Sequence, residues 1–316
     1  MFSKELGKQP REPSKPKKQL KVLENFTPIG LINIGNSCHF NVILQTLFNC
    51  TKFNESIPVS STTYPICYIY LLMYDAFLKQ NYHILNHILP QFQQKLIYNL
   101  GSTKTIQQDA HETFLIVLDK LQHELSKQNL KTFFQGQFIQ IMQCQKCHQR
   151  SSKLENFEHI ILSIANEDIV SIDDALNKYF DNESVSIDDC QFCHQNSSQT
   201  LHTYLYSIPI YLIIVLNRFN LHKTNQKNDK LIEYDFEKPL DINKYFSILF
   251  TIHNDSSQYH LKSIIHHSGH LNNGHYYCYQ KYHHQWYECN DTSISIAPIQ
   301  SISKENTYIL VYELMT

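Results

Sequence analysis

The stretch that most constrains the fold of this chain is a loop that delivers a cysteine to the start of an apolar helix. Residues 30–47 read GLINIGNSCHFNVILQTL, in which Gly30 and Gly35 precede Cys38. Apolar residues after Cys38 recur at helical spacing, which predicts a buried helix that begins at the cysteine. The helix dipole and the unpaired N–H groups of a first turn favour a thiolate. Cys38 is therefore a candidate nucleophile, and an inert core thiol is the alternative until a base is found.

Composition restricts the class of protein. The chain has 316 residues, a formal net charge of −2, 42% hydrophobic residues and 18% charged residues. These values predict a globular protein with a sizeable core. The charge disfavours a protein that coats nucleic acid or a membrane surface, and no apolar run is long enough to span a bilayer. Nine cysteines, an odd number, fit reduced thiols and metal ligands better than a disulfide framework.

The first 25 residues differ from the rest of the chain. They are basic, contain three prolines and have few apolar residues, which predicts a disordered tail before a domain at 26–316. They lack the apolar segment of a signal peptide, so we expect a cytoplasmic or nuclear protein. The basic run 15–21 is compatible with a nuclear import signal and with an ordinary solvated tail.

Periodicity predicts helices early in the chain and strands late. Helices are expected at 67–78 and 84–96, with a polar loop at 51–65. A third helix follows Asp109, which with Glu112 forms a capping-box pattern, and Ser171 and Asp174 cap a short helix that ends at Phe180. Strands are expected at 155–164, 201–208, 210–219, 245–252, 261–267, 275–282, 285–288 and 308–312. This order predicts an α+β fold.

Two CxxC pairs indicate a metal site. They are Cys144-Gln-Lys-Cys147 and Cys190-Gln-Phe-Cys193. In a reducing compartment this spacing predicts a tetrahedral zinc site with four thiolate ligands, one pair at each hairpin tip. A zinc ribbon of this kind also occurs in nucleic-acid-binding modules, but no basic or aromatic stripe accompanies it here. We therefore expect structural zinc and no nucleic-acid partner.

A candidate base lies near the end of the chain. The loop from Gly269 to Gly274 opens into a strand at His275, and the following strand ends with Asn290 and Asp291. Either of these two residues can accept a hydrogen bond from the imidazole, at Nδ1–H in our prediction. Cysteine, histidine and asparagine in this chain order are typical of papain-like thiol hydrolases.

Five ordered motifs over residues 27–314 resemble the ubiquitin-specific protease family of deubiquitinases. The segment GLINIGNSCHFNVILQTL is similar to its cysteine box, and QQDAHE at 107–112 is similar to the next signature. FQGQF, the paired CxxC and LNRF at 216–219 resemble its central motifs. LKSIIHHSGHLNNGHYYCY and WYECND resemble its histidine box. His39 departs from the usual aromatic residue, and a charge on it would tune the neighbouring thiol; the alternative is a packing role.

The resemblance implies a papain-like fold with fingers, palm and thumb, the fingers spanning about 133–205 and carrying the zinc. It implies that Cys38 is the nucleophile, His275 the base, Asn290 its orienter and Asp291 an auxiliary. Asn33 would donate to the oxyanion. The ubiquitin tail, which contains arginines and ends in Gly-Gly, would contact a set of four residues: Asp109, Glu112, Gly274 and Tyr276.

The implied activity is hydrolysis of the isopeptide bond after the C-terminal glycine of ubiquitin on conjugated proteins. The implied partners are ubiquitin, ubiquitinated proteins and a partner that activates or targets the enzyme, with no membrane partner and no catalytic cofactor. Alternatives are a ubiquitin-binding scaffold with weak or no turnover, and the same chemistry on another ubiquitin-like modifier.

Overall fold

The computed structural model describes residues 26–58, 63–97, 108–125, 130–181, 183–187, 190–219, 227–247, 257–270 and 273–315. The predicted tail at 1–25 lies outside the described residues. Among the described helices, none combines the length and the apolar character needed to cross a bilayer.

The first part of the chain is helical, as predicted. The helices are α1 (Cys38–Asn49), α2 (Thr51–Ser56), α3 (Pro65–Leu78), α4 (Tyr82–Ile97) and α5 (Ala110–Glu124). The loop predicted at 51–65 is wrong in its first half, where α2 forms. Phe53 on this helix is fully buried, and Asn54 Nδ2 donates to the carbonyls of Leu47 and Phe48, which pairs the end of α1 with α2.

The first sheet, in the part of the chain that the structure describes, has four antiparallel strands in the order β2-β1-β5-β4. Its strands are β1 (Gly136–Cys144), β2 (Arg150–Phe157), β4 (Glu183–Ile187) and β5 (Ser197–Ser207). This finger sheet projects the two CxxC turns from its end. The prediction of a single strand at 155–164 is wrong, because β2 ends at Phe157 and β3 (Ile160–Ser163) joins a different sheet. The fingers are thus interrupted by β3 and by α6 (Ile172–Tyr179), whose capping box of Ser171 and Asp174 is confirmed.

Among the described residues, the second sheet, the palm, has eight strands, seven of them in the order β11-β10-β9-β8-β12-β6-β3, with β7 paired to β8. The further strands are β6 (Tyr211–Asn217), β7 (Leu240–Asp241), β8 (Gln258–His270), β9 (Asn273–Tyr282), β10 (Gln285–Asn290), β11 (Ser293–Ile296) and β12 (Thr307–Leu314). The strand predicted at 245–252 is not found where the structure describes it, since a 3-10 helix spans Asn243–Tyr245; residues 248–256 are outside the described part.

The palm sheet is buried on both faces, which explains its continuous apolar strands. In β6, Tyr211, Ile213 and Val215 face one core, formed with α1 to α5. The intervening Leu212, Ile214 and Leu216 face a second core. A strand that is buried on both sides has no polar alternation, so its sequence reads as one apolar run. The α+β fold class is confirmed. Helices α1 to α5, the thumb, pack on one face of the palm, and the fingers form a separate sheet.

One helix start is held by a residue from another helix. Tyr64, the residue before α3, makes no side-chain cap. Instead, the Glu124 carboxylate at the end of α5 accepts the backbone N–H groups of Ile66 (3.0 Å) and Cys67 (2.9 Å). A carboxylate at this end also favours the helix dipole. Glu124 therefore caps α3 across the thumb.

We predict that Glu124→Ala lowers the free energy of unfolding by about 1–2 kcal/mol, the usual value of a lost N-terminal cap. The measurement is urea denaturation followed by circular dichroism. Asp119→Ala, on an exposed position of the same helix, is the matched control and should stay close to the wild-type value. Equal stability of the Glu124 variant and the wild type would contradict the cap.

Candidate active site

The nucleophile loop is closed by its own polar side chains. Gly35 and Asn36 have positive φ angles of 60° and 57°, which turns the chain sharply into α1. The Ser37 N–H donates to Asn33 Oδ1 (3.1 Å), and the Ile34 N–H donates to Ser37 Oγ (2.7 Å). Cys38 is the first residue of α1, as predicted, and is 3% exposed. The loop therefore fixes the thiol at the positive end of a buried helix.

His275 lies on β9 and meets this thiol. Its imidazole hydrogen-bonds to Cys38, and Nε2 lies 2.7 Å from Asn290 Oδ1. The predicted use of Nδ1 for the orienter is wrong: Nε2 pairs with Asn290, which leaves Nδ1 for the thiol. The bond with Cys38, aided by the bond with Asn290, outweighs burial and raises the pKa of His275 to about 9. The imidazole is therefore cationic at neutral pH, as a partner of a thiolate requires.

Asp291 holds the nucleophile loop rather than the imidazole. Its Oδ2 accepts from Asn33 Nδ2 and its Oδ1 from Asn41 Nδ2, both at 2.8 Å. Its backbone carbonyl also accepts from the Leu31 N–H (2.9 Å). Asp291, which follows Asn290 directly, therefore joins three points of the segment around Cys38 to the end of β10. An auxiliary role for Asp291 was expected, and the structure places it against Asn33.

Asn41 was missed by the sequence interpretation. It is 2% exposed on α1, and its Nδ2 also donates to the Ile32 carbonyl (3.1 Å). Gln45, one turn later, donates to the Ile29 carbonyl (2.8 Å). Two amides four residues apart on a helix predicted to be buried were the available signal, because buried amides require partners. The two side chains hold the segment that runs into the nucleophile loop.

The Asp109 carboxylate is occupied by groups of its own chain. As predicted, it caps α5: Oδ1 accepts from the N–H groups of His111 (2.7 Å) and Glu112 (3.2 Å). Its Oδ2 accepts from the hydroxyls of Tyr276 (3.3 Å) and Tyr308 (2.8 Å). A carboxylate has about four acceptor positions, so Asp109 ties α5 to β9 and β12 and has little capacity left for a ligand.

The other expected tail contacts differ in exposure. Glu112 is exposed on the first turn of α5. Tyr276 is only 3% exposed and acts through Asp109. Gly274 is required by close packing, since a Cβ there would lie 2.1 Å from Nε2 of the His267 ring. Of these residues, only Glu112 presents a free face of its side chain to an approaching peptide.

His39 is neutral at physiological pH. It is 5% exposed, and burial lowers its pKa below the ordinary value of 6.5 despite a hydrogen bond to the Asn36 backbone. A neutral imidazole cannot tune the thiol by charge. The structure therefore supports the packing role.

The predicted metal ligands come together at the end of the finger sheet. The two turns have the matching sequences CQKCHQ (144–149) and CQFCHQ (190–195) and the same fold. In each, the N–H of the histidine donates to the carbonyl of the first cysteine, at 3.0 Å and 2.8 Å. Both histidines, His148 and His194, have positive φ angles of 58° and 52°. The turns are two copies of one knuckle.

The geometry of this cluster fits zinc. The sulfurs of Cys144, Cys147, Cys190 and Cys193 all lie within 4.8 Å of one another. Across the knuckles, the sulfurs of Cys147 and Cys190 are 3.8 Å apart. Tetrahedral zinc with Zn–S distances of about 2.3 Å places its sulfurs roughly 3.8 Å apart. Four thiolates complete the coordination, so the ion this site could hold is structural.

Comparison with known proteins gives the family. The model of the ubiquitin carboxyl-terminal hydrolase family matches residues 29–312. The chain belongs to this family. Two relatives are ubiquitin carboxyl-terminal hydrolase 16 of Arabidopsis thaliana, 27% identical over 91% of this chain and 30% of the relative, and the 17-like protein A of Mus musculus, 26% identical over 90% and 56%. The chain thus spans about a third to a half of the length of these hydrolases.

The fold is also that of solved family structures. It is similar to the chain solved in the SAGA Ubp8/Sgf11/Sus1/Sgf73 DUB module bound to ubiquitin aldehyde, with a TM-score of 0.76 at 20% identity over 96% of this chain and 72% of that chain. A second structure, the same module with a variant of Ubp8 and bound to monoubiquitin, gives a TM-score of 0.74 at 22% identity over 93% and 72%. The predicted papain-like fold with fingers, palm and thumb is confirmed.

We predict that this chain binds one zinc ion through the two knuckles. Replacing one cysteine of each, Cys147→Ala with Cys190→Ala, should abolish zinc binding and loosen the finger sheet, because each knuckle then keeps a single ligand. Metal content by inductively coupled plasma mass spectrometry is the measurement. Cys67→Ala, a buried thiol in the thumb, should keep the metal. Wild-type protein that neither contains nor takes up zinc would refute the assignment.

Proposed function

We propose that this protein is a cysteine-type deubiquitinase that hydrolyses the isopeptide bond after the C-terminal glycine of ubiquitin. The observation that carries the proposal is the alignment of Cys38, His275 and Asn290, brought together from opposite ends of a chain that belongs to the ubiquitin carboxyl-terminal hydrolase family. The solved neighbours with this fold hold ubiquitin or ubiquitin aldehyde. The proposed substrates are ubiquitin conjugates of other proteins.

In the acylation step, the Cys38 thiolate attacks the glycine carbonyl carbon, and the carbonyl electrons move to the oxygen. His275 has accepted the thiol proton and holds it as an imidazolium, stabilised by Asn290. The tetrahedral intermediate then collapses, the C–N bond breaks, and the imidazolium gives its proton to the departing lysine amine. The product is a thioester between ubiquitin and Cys38.

In the deacylation step, neutral His275 takes a proton from water, which attacks the thioester and releases the ubiquitin carboxylate. The cysteine sulfur leaves as a thiolate, His275 keeps the proton it took from water, and the proton of the new carboxylic acid goes to solvent, so the thiolate–imidazolium pair is restored. The orientation of His275 matters in both halves, because the same nitrogen must face the leaving amine and later the water. This orientation is what the 2.7 Å contact with Asn290 supplies.

The oxyanion is stabilised by Asn33 and a backbone N–H at the start of α1. An amide carries two N–H hydrogens, and Asn33 directs one to Asp291, so the other is available to the substrate oxygen. The first N–H groups of a helix have no partner within the helix. Asp291 therefore positions the oxyanion donor, and the loss of one such donor typically costs about 2.7–4 kcal/mol of barrier.

The ubiquitin tail meets Glu112 rather than Asp109 in this proposal. The tail arginines need an accessible carboxylate, and Glu112 is exposed while Asp109 is saturated by its own chain. Gly274 and Tyr276 support the binding site for the tail indirectly. Gly274 leaves room for the His267 ring, and the Tyr276 hydroxyl donates a hydrogen bond that holds Asp109 in place.

We also propose a cytoplasmic or nuclear location, supported by nine cysteines that form no disulfide with one another in the described residues. A partner that aligns or targets the enzyme is part of the proposal. It is supported by the solved neighbour, in which Sgf11, Sus1 and Sgf73 form one module with Ubp8.

We predict that the wild type hydrolyses a ubiquitin C-terminal fluorogenic amide and that Cys38→Ala does not, because the Cys38 sulfur is the attacking atom. Cys67→Ala should turn over normally, which excludes a general effect of thiol loss. Ubiquitin binding without turnover by the wild type would favour a scaffold that lacks activity. Absence of both would favour another ubiquitin-like modifier, tested with the matching amides.

A further prediction concerns the pH dependence of turnover. The pKa of His275 is raised to about 9, so the imidazolium is present below that pH and lost as pH rises through 9. Asn290→Ala removes one of the bonds that raise this pKa, so the alkaline fall of kcat/KM should move to lower pH, with kcat reduced roughly 10- to 100-fold by misorientation. Rates from about pH 5.5 to 10, which bracket the free and the raised histidine pKa, are the measurement. An unchanged alkaline limb would show that Asn290 does not act on His275.

A further inference from the structure

The nucleophile helix meets the palm sheet through buried polar side chains. Thr46 and Asn49 on α1 face Ser263 on β8 and Gln280 on β9, and these residues are 0–1% exposed. Their surroundings are the apolar core of α1 to α5 and the palm. Because water has no access to this interface, the polar atoms can be satisfied only by one another or by the backbone.

The hydroxyl and Gln280 hydrogens of this interface fit a single arrangement, while Asn49 Oδ1 is buried without a hydrogen-bond partner among the described residues. The Thr46 hydroxyl donates to the Val42 carbonyl (2.8 Å). The Ser263 hydroxyl, 2.9 Å from Thr46 Oγ1, must therefore be the donor of that pair. The two N–H groups of Gln280 then reach Thr46 Oγ1 (3.0 Å) and Ser263 Oγ (2.7 Å). Each hydroxyl hydrogen of Thr46 and Ser263 and each Nε2 hydrogen of Gln280 therefore has one acceptor.

Asn49 extends the network to the backbone of the sheet. Its Nδ2 donates to Gln280 Oε1 (3.1 Å), and also approaches the carbonyls of Lys281 (3.2 Å) and Lys262 (3.3 Å). The helix is thus hydrogen-bonded to both β8 and β9, and β9 is the strand that carries His275. A side chain that contacts two strands at once restricts sliding along either of them.

Directional bonds fix a register that apolar packing alone does not. Aliphatic side chains tolerate small shifts of one surface over another, whereas a buried hydrogen bond that is broken leaves an unsatisfied donor or acceptor. A slide of α1 along the strands would break several of these bonds together. The network therefore holds α1 at one axial position and one rotation on the sheet.

The network lies on the same two elements as the reacting groups, at their far ends. Thr46 follows Cys38 by two helical turns, about 12 Å along α1, and Gln280 follows His275 by five residues of β9. The near end of α1 is held separately, by Asp291 against Asn41. Two attachments that far apart define both the position and the direction of the helix axis.

We propose that Thr46, Ser263, Gln280 and Asn49 are positioning residues that set the register of the nucleophile helix on the strand of the base, and so align the Cys38 thiol with the His275 imidazole. This inference rests on the proposed function and deepens it. A buried polar network also stabilises in principle, so the test must separate alignment from stability.

The decisive variant replaces the network by apolar groups of similar size: Thr46→Val, Ser263→Ala and Gln280→Met together. Replacement of these three partners together leaves few unsatisfied groups, because Asn49 keeps the Lys281 and Lys262 carbonyls as acceptors, so stability should be close to that of the wild type. We expect kcat on the ubiquitin amide to fall about 10- to 100-fold, the effect of a misplacement of about 1 Å, with KM unchanged. A folded triple variant with the wild-type kcat would overturn the proposal.

The matched control is Tyr259→Phe. Tyr259 lies on β8, is fully buried and loses a hydrogen bond to the Pro209 carbonyl, but it belongs to the core on the other face of the palm. We expect lower stability with the wild-type kcat. A fall in kcat equal to that of the triple variant would mean that any loss of a palm hydrogen bond has this effect, and would overturn the proposal.

A second readout does not use ubiquitin. The rate of Cys38 alkylation by iodoacetamide against pH reports the thiolate that His275 stabilises, and in the triple variant this profile should shift to higher pH. An unshifted profile would overturn the proposal. If wild-type protein failed to cleave the ubiquitin amide, the proposed function would fall, while the alkylation profile would still test the alignment. Should the triple variant not fold, Gln280→Met is judged by the same two readouts.

Discussion

The site depends first on the hydrogen bonds that Asp291 makes to a segment at the other end of the chain. Its carboxylate holds Asn33 and Asn41, and its carbonyl holds the backbone of Leu31. Its neighbour Asn290 holds His275. One turn at the end of β10 therefore orients both the nucleophile loop and the base, although they are far apart in sequence. Asp291 adopts a positive φ of 49°, a conformation that aspartate tolerates better than most residues.

The palm sheet gives this turn a rigid support. Its strands are buried on both faces, by the thumb helices on one side and by α6 and the second core on the other. The nucleophile helix lies on the first face, so the loop, the base strand and the helix share one core. The knuckles lie at the far end of a different sheet, which the chain leaves after β2 before β3 joins the palm. A metal held there by four thiolates would have no open coordination position, so it would stabilise the fingers only.

Local patterns predicted much of this arrangement. The apolar spacing behind Cys38 gave the correct start of α1, the paired CxxC gave the sulfurs that come together, and the chain order of Cys38, His275 and Asn290 gave the triad that the structure aligns. Each of these signals is contained in a short stretch, where residue type and spacing act directly on the backbone.

What the sequence could not show depends on contacts between distant residues. The partners of Asp109 include Tyr276 and Tyr308, at separations of 167 and 199 residues, and a capping pattern does not reveal them. The break between β2 and β3 follows from pairing with different strands, while both halves have strand-like residues. The choice of Nε2 by Asn290 depends on the rotation of one ring, which residue type leaves open.

The histidines around the thiol show how burial and hydrogen bonding divide one residue type into different roles. Burial lowers the pKa of His39, and with the nearby Lys227 it lowers the pKa of His267 to about 4. His275 is also partly buried, but its bonds to Cys38 and Asn290 raise its pKa to about 9. Burial disfavours the cation in all three, so the thiolate partner and the asparagine acceptor make the difference. Of these three imidazoles, only the one aligned with the thiol is charged at neutral pH, and the other two are neutral.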